Sequence, residues 1–150
     1  MFNQRRGFTL IELLIVIAVI LFLAKLVAPR YSGFFAKAQQ TEVYFNLSSL
    51  YAAQQAYYMS NGRFSTNLRA IDWQPRGYTG NPETTQNAYT YGSAGQEGIH
   101  FFTGSGKAPA SLLGNTQTDP NKFIFRAAIT RGETAECWRL NHLGDITREV

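Results

Sequence analysis

Charge is scarce in this 150-residue chain: Asp, Glu, Lys and Arg make up 16% of it, against about a quarter in an average soluble domain. The net charge is only +4, and no Lys/Arg run exceeds the pair Arg5–Arg6, so nucleic acid is not expected as a partner. Cys137 is the single cysteine, which excludes an internal disulfide and leaves the redox compartment unread. Beside Trp138 it reads as a small buried hydrophobe rather than a reactive thiol. The two histidines, His100 and His142, are far apart and in no metal-ligand spacing. Asn115, Asp119 and Asn121 offer oxygens to a calcium ion, but acidic ligands are too few. Gly104-Ser105-Gly106-Lys107-Ala108 lacks the Ser/Thr that follows the lysine of a phosphate loop and has no strand–helix frame, so it reads as a turn. Asn46-Leu47-Ser48 matches a glycosylation triplet but falls within a helical pattern. No perturbed acid–base pair stands out. The expectation is a protein that is not an enzyme, with no cofactor, no metal and no catalytic residue.

What the chain does have is one block, Phe8 to Ala28, almost free of polar residues. As a helix, about 21 residues rise roughly 30 Å, the thickness of a bilayer's hydrocarbon. A short leader, MFNQRRG, precedes it, and Arg5 and Arg6 place that end in the cytoplasm and the remainder outside. A secretory signal peptide shares the basic start and the apolar stretch, and an A-x-A triplet occurs at Ala36-Lys37-Ala38. Against that reading, the apolar stretch is too long, the triplet lies well beyond it, and the helical pattern continues through it. A plain single-pass anchor leaves Glu12 unexplained. A carboxylate in hydrocarbon costs up to about 3 kcal/mol, less near an interface, and such residues are usually paired. A free α-amine at Phe8 would suit it, within one chain or between neighbours, where pairing would set the axial register. The alternative is a Glu12 that reaches the head groups.

The stretch Arg5-Arg6-Gly7-Phe8-Thr9-Leu10-Ile11-Glu12 resembles the processing site of type IV prepilins and type II secretion pseudopilins. The resemblance is near-complete over residues 5–33. It implies cleavage after Gly7 and methylation of the new N-terminal Phe8 by a prepilin peptidase/methyltransferase, and it matches Glu12 to the family's N-terminal glutamate. Cleavage also makes physical sense. It removes the two strongly hydrated charges that pin the segment in lipid and leaves an amine and a carboxylate that can neutralise each other in a dry bundle.

Pro29 and Gly33 follow. An interior proline costs about 3 kcal/mol or more, yet Tyr31–Met59 keeps helical spacing, so the expectation is a kink rather than a stop. The resemblance implies local unwinding there inside a filament. Val43, Leu47, Leu50, Gln54 and Tyr57 recur on one face, and Tyr44, Tyr51 and Tyr58 seven residues apart, the pattern of an amphipathic helix. One helix of about 50 residues is therefore expected from Phe8 to near Met59, stopped by Ser60-Asn61-Gly62. The tyrosines read as packing rather than anything electronic. Beyond it, strands are expected at Ala88–Tyr91, Gly98–Thr103, Phe123–Thr130, Glu136–His142 and Ile146–Arg148, with a loop at Gly114–Asn121.

The fold class expected is α+β: a long N-terminal α-helix, membrane anchor plus spine, packed on a small antiparallel β-sheet in a meander, pilin-like. The divisions are a removed leader at 1–7, a transmembrane and filament-core helix at 8–30, and a periplasmic or extracellular head at 31–150. The function expected is a structural subunit of a type IV pilus, a homo-oligomeric helical filament, exported from the inner membrane to the cell surface. The resemblance adds other pilins, the peptidase and an inner-membrane assembly platform as partners, and adhesion, twitching motility or DNA uptake as the output. The rivals are a type II secretion pseudopilin, which a calcium ion in the 114–121 loop would favour, and a minor or competence pilin. In the last, Arg63, Arg69, Arg76, Lys107, Lys122 and Arg126 would converge to bind DNA.

Overall fold

A computed structural model describes residues 8–114 and 119–149, and the side chains of all of these except 27–32. The leader with Arg5, Arg6 and Gly7, and the loop residue Asn115, lie outside the described residues. The chain divides into two compact units, Met1–Ala38 and Gln39–Val150. Helix α1, Leu10–Asn61, contributes to both.

In the first unit, Leu, Ile, Ala and Val follow one another with no helix breaker before Pro29, and α1 passes through Pro29 and Gly33 without ending. Every large apolar side chain from Leu10 to Leu26 is exposed, from Val16 at 46% to Leu10 at 82%. A contiguous apolar surface of that extent on a single chain calls for lipid or other protein around it. Among the described residues no helix is long and apolar enough to cross a membrane. The stretch expected to do so, Phe8–Ala28, runs into the residues whose side chains are not described.

The second unit is a five-stranded antiparallel sheet carrying the C-terminal half of α1. The strands are β1 (Thr90–Gly92), β2 (Phe101–Phe102), β3 (Ile124–Arg131), β4 (Thr134–Asn141) and β5 (Ile146–Glu149), in the order β2-β1-β3-β4-β5. From β3 onward this is the expected meander, closed by a two-residue turn in which Gly132 has φ 61°. The first pair departs from it: β1, not β2, lies beside β3. The cause is the β2–β3 connection, whose 3-10 turn at Ala110–Leu113 packs Leu113 and Ala108 against Ala128. That covers part of β3's second face, so Ala128 is buried where alternation placed it on the solvent side. Cys137 packs at the edge of the same cluster, half-buried rather than buried, its thiol pushed up by burial and the nearby Glu149.

Val43, Leu47, Leu50 and Gln54 are fully buried, as their spacing on one face requires, against Leu68, Tyr89, Tyr91, Phe123, Phe125 and Leu140. The tyrosines at sevenfold spacing pack on the sheet and its loops: Tyr44 edge-on to Trp138 at 5.1 Å, Tyr51 against Phe123 at 6.5 Å, Tyr58 stacked on Phe64 at 4.6 Å. The helix ends where Gly62, at φ 67°, donates its N–H to the Tyr58 carbonyl, a left-handed stop that a side chain would strain.

Two polar residues of α1 tie it to the sheet and the following loop. Glu42 accepts the Ala88 N–H on both carboxylate oxygens (3.0 and 3.1 Å) and the Tyr91 hydroxyl at 2.8 Å. The Gln54 side-chain amide donates to the Ser65 carbonyl and accepts the Ser65 N–H at 3.1 Å, as a neighbouring strand would. Burial, and then the Glu42 charge, push the Tyr91 hydroxyl far above its usual value of 10.0. The folded state therefore holds Tyr91 protonated while the unfolded chain titrates normally. Its contribution is complete below pH about 10 and is lost as pH rises beyond that. Alkaline unfolding followed by circular dichroism should start just above that pH, and Tyr91→Phe should flatten the fall while lowering stability near neutrality by about 1–2 kcal/mol through the lost hydrogen bond.

Candidate functional site: the N-terminal assembly segment

The first turn of α1 is closed by its own sequence. The Leu13 N–H donates to the Thr9 carbonyl (3.3 Å), which makes Thr9 the N-cap. The Thr9 hydroxyl accepts the Glu12 N–H at 3.3 Å. Glu12 returns the favour through Oε2, which accepts both the Thr9 N–H (2.9 Å) and the Thr9 hydroxyl (2.8 Å). Thr-x-x-Glu in this arrangement is a capping box: two backbone donors that a helix start would leave unpaired are satisfied reciprocally. Its signal was present in the sequence as a threonine three residues before a glutamate, and sequence reasoning that looked only for an ionic partner passed over Thr9.

The box fixes where the carboxylate sits. Glu12 is folded back toward the N-terminal end of α1, the end on which a freed Phe8 amine would lie, and away from the body of the apolar rod. Phe8 itself is exposed at 79%. Phe8 and Glu12 thus share one tip of the chain, while Gly7 is outside the described residues and Pro29 and Gly33 lie farther along α1; a Cβ added at Gly33 would meet nothing within 4 Å. Thr9→Val should fray the first turn, with a loss of about 1 kcal/mol. Faster amide exchange at Ile11–Leu13 in detergent micelles would report it, and Thr9→Ser should restore protection.

The basic residues of the head do not gather on one site. Lys107 pairs with Glu83 at 2.9 Å. Arg126 is held by Glu149 at 2.7 Å and by the Leu113 carbonyl. Arg76 lies over the Phe45 ring at 5.6 Å. Arg63 and Lys122 share a cleft with Asp119, and Arg69 lines a different cavity. Among the described residues no group of three His, Cys, Asp or Glu is placed to hold a metal ion. Asp119 instead accepts the Asn121 N–H at 2.8 Å within a local turn. Asn46 of the glycosylation triplet is buried, its side-chain oxygen accepting the Arg76 N–H at 3.0 Å.

A long helix starting at an apolar, singly acidic tip and ending on an antiparallel sheet defines a pilin-like protein. Residues 2–24 match the family described as the prokaryotic N-terminal methylation motif. The chain is 34% identical over 134 residues to fimbrial protein Q of Moraxella bovis, across 89% of this chain and 83% of that protein. It is 43% identical over 75 residues to the type IV major pilin protein PilA of Myxococcus xanthus. That match spans 49% of this chain but only 34% of PilA. The type II secretion system core protein G of Klebsiella pneumoniae is 35% identical over 69 residues, 46% of this chain and 49% of that protein. The chain belongs to the pilin and pseudopilin family.

Proposed function

We propose that the chain is made as a membrane-anchored precursor, cut between Gly7 and Phe8, methylated at Phe8, and assembled with copies of itself and other pilins into an extracellular type IV pilus. The observation that carries this reading is the unpartnered apolar surface of α1 from Leu10 to Leu26, capped by one carboxylate at its tip. Lipid satisfies that surface before assembly and sister helices satisfy it afterwards. In the filament the Phe8 amine of one subunit neutralises the Glu12 of another, and the segment around Pro29 and Gly33 is where the helix gives. The head serves as surface tile rather than as an enzyme.

The pilus is favoured over a secretion pseudopilus because likeness to a fimbrial protein extends through the head, whereas likeness to the secretion protein covers about half of the chain. Mass spectrometry of filaments sheared from cells tests the proposal. The expected product begins at N-methylated Phe8; a filament-free cell surface, with a chain that still carries residues 1–7 in the membrane, would refute it.

A further inference from the structure

The head carries a second feature, independent of the filament reading. A cavity of about 670 Å³ opens beside Phe102, inside the size range of small-ligand sites, roughly 300–1,000 Å³. Its floor is aromatic. Phe102 meets Tyr78 edge-on at 4.8 Å and Trp73 at 6.0 Å, and the Trp73 indole is anchored by donating to the Ser49 hydroxyl at 2.9 Å. Its rim is polar and planar. Arg69, Asp72 and Gln74 line it, are exposed, and make no side-chain hydrogen bond among the described residues.

The rim is built rather than loose. Asn67 accepts the N–H groups of Arg69 (3.0 Å) and Ala70 (3.1 Å), and the Leu68 N–H donates to the Ile99 carbonyl at 2.7 Å. Asp72 is held at φ 52°, with its N–H on the Arg69 carbonyl, a left-handed conformation that a non-glycine residue adopts only when its surroundings enforce it. Gly98, at φ 73°, lies beside Arg69: a Cβ there would be in ordinary contact, 3.6 Å from the guanidinium.

Charge and donor chemistry select the ligand. Arg69 is offset by Asp72 on the rim and by Glu97, whose charge reaches Tyr78, so the cavity offers no net positive field for a phosphate or a nucleic acid. The rim combines a pure donor, a pure acceptor and an amide that does both, which matches hydroxyl groups that donate and accept at once. Tyr78, half-buried and backed by the core residues Phe102 and Trp73, gives such a rim an aromatic surface for the apolar C–H face of a pyranose ring. We propose that this cavity is a binding site for a neutral saccharide, its ring against Tyr78 and its hydroxyls held by Arg69, Asp72 and Gln74.

The test is saturation-transfer NMR on the full-length chain in detergent micelles, with methyl β-D-galactopyranoside, methyl α-D-mannopyranoside and N-acetyl-D-glucosamine as separate probes. At least one should give a saturable signal at millimolar concentration. Arg69→Ala and Gln74→Ala, both at exposed positions, should weaken it by about tenfold or more, with unchanged circular dichroism, and Lys107→Ala should leave it intact. The proposal is overturned if none of the three sugars gives a signal above that of empty micelles, if both rim variants bind like the parent, or if inorganic phosphate displaces the sugar, which would make the site an anion site.

Discussion

Glu12→Ala is expected to abolish filament formation while the precursor is still cut between Gly7 and Phe8. Without the carboxylate, each Phe8 amine entering a bundle of apolar helices would be an uncompensated charge in a dry environment, a loss of about 3–5 kcal/mol when one partner of a buried pair is removed. That penalty recurs at every subunit added. The capping box complicates the alanine variant, because Glu12 also closes the first turn of α1 through Thr9. Glu12→Gln separates the two roles: glutamine can complete a capping box but carries no charge. Sheared filament yield, read by immunoblot beside the ratio of cut to uncut chain, should be near zero for both variants. Thr9→Val should assemble far better than either. Parental yield from Glu12→Gln would mean that the cap, not the ion pair, is what Glu12 supplies.

Gly92→Ala should be severely damaging to the head. Gly92 has φ 135°, and its Cβ would stand 2.2 Å from the His100 carbonyl oxygen and 2.6 Å from the Phe101 Cα. Both obstacles are backbone, so no side chain can rotate away, and the register of β1 with β2 places Gly92 directly opposite Phe101. Relief requires β2 to leave β1, which withdraws Phe102 from the core. A loss of about 4 kcal/mol or more is expected, seen as a fall on the order of 10 °C in the melting temperature of the full chain. Gly132→Ala is the control for backbone angle alone. Gly132 has φ 61° but nothing within 4 Å of its Cβ, so only the left-handed conformation opposes the change, at about 1 kcal/mol.

Much of this architecture could be read from residue order because the relevant signals are local. The span of α1 follows from an unbroken apolar block, the recurrence of Val43, Leu47, Leu50 and Gln54, and an Asn-Gly stop. Strands β3 and β4 follow from the alternation at Phe123, Phe125, Ala127 and Ile129 and from Trp138 and Leu140, all of which are buried. The first pair was less legible. Strands of three and two residues carry too few alternations to place, and which of them meets β3 is decided by the 3-10 turn packing on Ala128, a contact between distant residues. At the functional tip, Phe8 and Glu12 stood out by chemistry, whereas Thr9 offered only the Thr-x-x-Glu spacing, which its three hydrogen bonds with Glu12 turn into a capping box. Gln54 was placed on the right face, but nothing local said that its amide would serve as a substitute strand for Ser65.

The two ends of the sheet carry a consequence for how copies associate. An edge strand with free N–H and C=O groups is a template on which another copy can pair and lock irreversibly. Here one edge, β2, is only two residues long, and the other, β5, carries Arg148 and Glu149, the latter clamped by Arg126 at 2.7 Å. Neither offers a long, flat, uncharged ladder for amyloid-like growth. In the assembly proposed above, copies would therefore join through the apolar surface of α1 rather than by adding strand to strand.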